Sequence, residues 1–169
     1  MDQSPNLKKY LVCISSTQSH EGALVFVCEN LKHRRDVQIE LFSVIKKDEE
    51  ELGFFKNASN NAQDDFMSTD EKKIEKILID AKDFIHSRIS NQVEIKIEFG
   101  KTAEVLKTKI LEDKSIIAMV LGVSSESFTK NNNLSSILEK VSSVTTTPLI
   151  LVPRFTTSEQ ITKIIDKNL

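Results

Sequence analysis

The stretch Ile116–Val152 constrains this chain most. It opens with a continuous apolar run, Ile116–Leu121, that ends at Gly122. A run apolar on both faces suits the centre of a parallel sheet covered by helices on either side. Leu134, Ile137, Leu138, Val141 and Val144 then recur at helical spacing, with Asn132 or Asn133 placed to cap the helix. Thr145–Thr147 and Pro148 stop it, and Leu149–Val152 is the next strand before Pro153. A right-handed strand–helix–strand crossover is the expected geometry. Its functional corner is the loop after Gly122 with the start of the helix, because ligands collect at the carboxyl ends of strands in doubly wound sheets.

The upstream chain alternates in the same way. Tyr10–Ile14 reads as a short strand running into Ser15-Ser16-Thr17. A helix follows with Ala23, Leu24, Val27, Cys28 and Leu31 on one face, capped by Thr17 or Ser19, with His20 an exposed polar residue of its first turn. Val37–Ile45 alternates at first and then turns apolar, as an inner strand should. The connection 46–69 is acidic and Asn-rich and exceeds ordinary loop lengths. It reads as an open, protease-sensitive lid or partner segment anchored by Phe54 and Phe55. Its Glu49–Glu51 run would repel a phosphate if it closed over a site.

Ser68-x-x-Glu71 is a capping box, and Ile74, Ile77, Leu78, Ala81, Ile85 and Ile89 continue as a helical stripe. Val93–Phe99 alternates strictly, the pattern of a strand with one wet face near a sheet edge. Gly100-Lys101-Thr102 follows. A phosphate-binding P-loop would need glycine at position 95, where Ile95 stands, so the triplet reads as a glycine hinge and a Thr102 cap. In the tail 154–169, Thr157-x-x-Gln160 is a capping box, and Ile161, Ile164 and Ile165 share one helical face. So short a helix persists only when docked.

With 169 residues the chain fits one domain, 1–169, with a sizeable core. A hydrophobic content of 39% and a charged content of 28% describe a soluble globular protein. The net charge of −2 gives no general attraction to nucleic acid or to an acidic membrane. Apolar runs fall far short of the ~20 residues of a membrane helix, and the N-terminus lacks the shape of a secretory signal. The cytoplasm is therefore the expected location. Cys13 and Cys28 lie in apolar patterns and read as buried reduced thiols. His20, His33 and His86 are scattered, with no metal-ligand spacing and no identifiable nucleophile–base pair. No catalytic residue and no metal site are expected.

The order of parts over residues 8–152 resembles the universal stress protein family. Its nucleotide-binding members carry glycine, two residues, glycine, nine residues, glycine, then serine or threonine. Those positions here are Gly122, Ser125, Ser135 and Ser136, so the first glycine and the final hydroxyl are present and two glycines are serine. Leu134–Val141, LSSILEKV, resembles the helix start that follows, and Pro148–Val152, PLILV, resembles the last strand. The family's first strand ends in an aspartate that contacts adenine; Ser15 stands there. The backbone around Val44 would reach the same site.

The resemblance implies a five-stranded, doubly wound parallel sheet of the Rossmann-like, adenine nucleotide alpha hydrolase-like type. It also implies strand order 3-2-1-4-5, a cytoplasmic homodimer paired through its last strand, and a role in stress response or regulation. The departures at Ser15, Ser125 and Ser135 place the chain with members that do not hold ATP firmly. The leading expectation is a non-enzymatic regulatory protein acting as a dimer with protein partners, without a bound cofactor; ATP or AMP is not the favoured ligand. A nucleotide or anion sensor using the loop after Gly122 is the alternative, and a slow ATP hydrolase ranks below both.

Overall fold

The computed structural model describes residues 7–47, 68–124, 127 and 134–166. Five strands form one sheet: β1 (Lys8–Cys13), β2 (Val37–Ile45), β3 (Val93–Phe99), β4 (Ile116–Val123) and β5 (Leu149–Pro153). The helices are α1 (Glu21–Leu31), α2 (Thr69–His86), α3 (Thr102–Glu112), α4 (Leu134–Ser142) and α5 (Ser158–Asp166). The strand order is β3-β2-β1-β4-β5 and every pair is parallel. The chain steps from β1 outward to β3, then returns to β4 on the other side of β1. Crossovers of one hand therefore lay α1 and α2 on one face and α3 and α4 on the other.

Strand alternation divides the core between these faces. Tyr10, Val12 and Ile14 of β1, with Ile39, Leu41 and Val120, pack under α1 and α2. Leu11, Phe42, Met119 and Leu121 pack under α3 and α4. β4 is buried almost throughout, as its unbroken apolar run requires. β3 lies at the sheet edge, with Glu94 and Lys96 exposed.

Two expected caps differ. α1 starts at His20 without a side-chain cap, because the Ser19 hydroxyl donates to the Glu21 carboxylate and the Thr17 hydroxyl lies against Ser15. His20 is half-buried rather than an exposed first-turn residue, and its Nδ1 is enclosed without a hydrogen-bond partner. α3 starts at Lys101, again without a side-chain cap, and Thr102 is already helical. The hinge before it is Gly100, whose φ of 142° lies in the region that favours glycine. The capping box of α2 is half formed: the Ser68 hydroxyl accepts from the Glu71 N–H at 3.2 Å. The connection expected to be a lid, with Phe54 and Phe55, lies outside the described residues, as do Asn132 and Asn133.

The tail forms the expected helix. The Thr157 N–H donates to Gln160 Oε1 at 2.9 Å, and the Gln160 N–H donates to Thr157 Oγ1 at 3.4 Å, a reciprocal box. α5 packs on α1 of its own domain. Of the three isoleucines, Ile161 is buried, Ile165 is half-buried and Ile164 is exposed. Ile161→Ala is expected to cost about 2 kcal/mol in urea unfolding, the low end for a buried isoleucine, because a terminal helix can detach locally. An unchanged urea midpoint would mean that α5 adds nothing to the stability of the domain.

Candidate functional site

At the carboxyl end of β1 and β2 the sheet opens into a cavity of about 730 Å³. That volume suits a small organic ligand. The β1–α1 loop 15–18 forms one wall, the end of β2 a second, and α2, α3 and α4 contribute Lys73, Thr102, Leu106 and Ile137. The strands deliver these side chains because β1 and β2 end side by side, with Cys13 opposite Phe42.

The structure brings two of the expected site residues together here: Ser15 and Val44 both line the cavity. Ser15 is engaged by its own loop. Its hydroxyl accepts from the Thr17 N–H at 3.2 Å and the Gln18 N–H at 3.0 Å, a local serine turn that shapes the wall. Gly122 is not in the lining. A β-carbon there would stand 2.0 Å from the Ser19 carbonyl oxygen and 2.9 Å from the His20 Cα. The glycine lets the β1–α1 loop lie directly on β4, whether or not any phosphate is present.

Ser135 is exposed and Ser136 half-buried at the start of α4, and neither lines the cavity. Ser125 lies outside the described residues. Just before it, the Ser124 N–H donates to the buried Ser127 hydroxyl at 2.9 Å. One backbone donor of the loop after β4 is thus satisfied internally.

Cys13 is half-buried and lines the cavity, a departure from the fully buried thiol expected, whereas Cys28 is buried under α1. Burial pushes the Cys13 thiol up to about 12 and the Cys28 thiol up to about 11. Neither is a thiolate nucleophile near neutral pH. Among the described residues no group of three or more His, Cys, Asp or Glu is placed to hold a metal ion.

A charged cluster missed in the sequence reading lies under the α3 face of the sheet. Glu40, in the middle of β2, has a side chain 3% exposed and sits 2.7 Å from Lys9 Nζ and 2.6 Å from Lys109 Nζ. Lys9 also reaches Asp113 at 2.9 Å, and Asp113 is itself bonded by Ser115. Burial would raise the Glu40 carboxyl, but its contacts with Lys109 and Lys9 outweigh that and hold it below the usual range. Burial likewise works against ionised Asp113, while hydrogen bonds from Lys9 and Ser115 lower it to about 2. β2 is the inner strand expected, and its first four residues, Val37–Glu40, alternate apolar with polar positions as the sequence shows. Both Gln38 and Glu40 proved to be buried. The legible signal was a glutamate between isoleucine and leucine in a strand covered on both faces.

The doubly wound α/β domain with five parallel strands in the order β3-β2-β1-β4-β5 has a Rossmann-like fold. More specifically, it is the universal stress protein fold. A universal stress protein solved in complex with cAMP superposes with a TM-score of 0.59 at 18% identity, covering 86% of this chain and 96% of that one. UspA from Lactobacillus plantarum superposes at 0.61 with 12% identity, covering 86% and 97%. A universal stress protein from Archaeoglobus fulgidus in complex with dAMP superposes at 0.57 with 14% identity, again covering 86% and 97%. No family model matches the chain, and no curated protein matches it by sequence. Among the described residues no helix is long and apolar enough to cross a membrane.

Proposed function

We propose that this protein is a cytoplasmic regulatory protein of the universal stress type, non-enzymatic, acting as a homodimer with protein partners and not holding ATP tightly. The observation that carries the ATP part is the state of the expected phosphate loop. Glycine is replaced by Ser135 at the helix start, and the Ser124 N–H is already bonded to Ser127. A triphosphate needs backbone N–H groups free to turn toward it. Calorimetry is expected to give a Kd for ATP above about 100 μM; low-micromolar binding would reject this part of the reading.

The dimer rests on β5. It ends the sheet, and Leu151 on it is exposed. A bare apolar edge invites pairing, and a two-fold symmetric pair closes it. Sedimentation of the full chain at tens of micromolar should give a dimer, and a monomer would remove the assembly from the proposal.

A second reading, a small-molecule sensor, is favoured by the cavity at the ends of β1 and β2. Two solved proteins of the same fold hold cAMP and dAMP. In this reading the ligand lies in the cavity at the strand ends.

A further inference from the structure

The two edges of the sheet are built differently. β5 ends in Pro153 and is preceded by Pro148, so its edge offers few backbone donors. β3 is longer and holds no proline. In its parallel ladder with β2, the Ile39 N–H donates to the Gln92 carbonyl and the Gly100 N–H to the Ile45 carbonyl. That register turns the backbone of Glu94, Lys96 and Glu98 toward β2. Val93, Ile95, Ile97 and Phe99 turn theirs away, one N–H and one C=O each. Among the described residues none of these outward groups has a hydrogen-bond partner.

The side chains of β3 alternate as well. Ile95, Ile97 and Phe99 lie on the α2 side of the sheet, where Ile95 and Ile97 pack against the core and Phe99 is 39% exposed. Glu94, Lys96 and Glu98 lie on the other side, with Lys96 and Glu98 3.2 Å apart. Two carboxylates there stand against one ammonium group. Charge on an edge turns away a strand of apolar or like-charged side chains, and it favours one of opposite sign.

We propose that β3 is a docking edge for an extended segment of a partner protein, one in which apolar residues alternate with lysine or arginine. The segment adds to the sheet antiparallel to β3. Its N–H and C=O groups pair with those of Ile95 and Ile97, and its apolar side chains cover Ile97 and Phe99. Its basic side chains lie opposite Glu94 and Glu98. This rests on the reading that the protein acts with protein partners, and adds to it the surface and the kind of segment. It leaves β5 to the homodimer.

The experiment mixes the full chain with a dye-labelled peptide that alternates lysine with valine. The controls are a peptide alternating glutamate with valine, and the lysine–valine composition arranged in blocks. Fluorescence anisotropy reads affinity, and amide hydrogen exchange by NMR reads the place. In the free protein the Ile95 and Ile97 amides are expected to exchange readily, while those of Glu94 and Lys96 are protected. The lysine–valine peptide is expected to bind with a Kd below about 1 mM, at least tenfold more tightly than either control. It should slow exchange at Ile95 and Ile97 at least tenfold. E94K/E98K, its fold checked by circular dichroism, is expected to lose that preference and to favour the glutamate–valine peptide. Protection of Ile95 and Ile97 in the free protein, including protection that grows with protein concentration, would show the edge already covered and overturn the proposal. Binding that leaves those two amides unchanged, or that survives E94K/E98K, would place the segment elsewhere and overturn it too. So would failure of the lysine–valine peptide to bind below about 1 mM. Each of these leaves the partner reading standing. That reading fails separately, if crosslinking of the full chain in extract of its own cells yields no partner.

Discussion

Glu40→Ala is expected to destabilise the domain by about 3–5 kcal/mol, the cost of removing one partner from a buried ion cluster. The carboxylate stands between Lys9 and Lys109, each with a side chain 10% exposed. Its removal leaves Asp113, 3.9 Å away, as the carboxylate beside Lys109 among the described residues, and asks that one carboxylate to serve two ammonium groups. Glu40→Gln keeps the volume and loses the charge, and is expected to fall between wild type and alanine. Urea unfolding of the three proteins measures this. A loss under about 1 kcal/mol for Glu40→Ala would show that the lysines swing out to water and that the cluster contributes little.

The same cluster sets an acid limit. Glu40 and Asp113 are held below their unfolded values, so their contribution is fully present above the ordinary carboxylate range near pH 4. It is lost as pH falls through the folded values, with Asp113 the last to protonate at about 2. Wild-type stability is expected to drop between about pH 4 and pH 2, and Glu40→Gln to show a shallower slope there. Lys9 is the opposite case. Burial would lower it, but hydrogen bonds to Asp113 and Glu40 win and raise it. Its contribution is present at neutral pH and lost only as pH rises through its raised value.

Gly122→Ala is expected to cost about 3 kcal/mol, the upper part of the ordinary range for overpacking. The added methyl would meet the Ser19 carbonyl oxygen at 2.0 Å, and backbone cannot rotate away as a side chain can. The relief has to come from moving the β1–α1 loop, which is also a wall of the cavity. Gly22→Ala is the matched case on α1, where the methyl would stand 2.1 Å from the Pro153 carbonyl oxygen at the end of β5. Thermal unfolding should show both variants well below wild type. If Gly122→Ala keeps its midpoint, the loop is free to move and the glycine is not there for packing. A ligand that uses the cavity should also bind more weakly to Gly122→Ala, through the shifted Ser15–Gln18 wall.

The amino-acid sequence by itself determined the kinds of element, their order and the ends of several. The apolar run of β4, the helical stripe of α2, the alternation of β3 and the box that opens α5 are periodic or local signals, complete within a few residues of chain. Hydrophobic period and capping chemistry act over those distances, so they are visible before folding. The tertiary structure alone decided the rest. Lys9 meets Glu40 and Asp113 across separations of 31 and 104 residues, and no local pattern marks such a meeting. Gly122 reads as the first glycine of a phosphate loop, yet its lack of a side chain is required by Ser19, which the sheet brings onto it. The hydroxyls of Ser135 and Ser136 fall beside the cavity rather than in it, while Lys46 and Lys73, unremarkable along the chain, line its wall. Which residues face one another at the strand ends follows from the parallel order β3-β2-β1-β4-β5 and its crossovers, and long-range strand pairing becomes explicit only once the sheet is assembled.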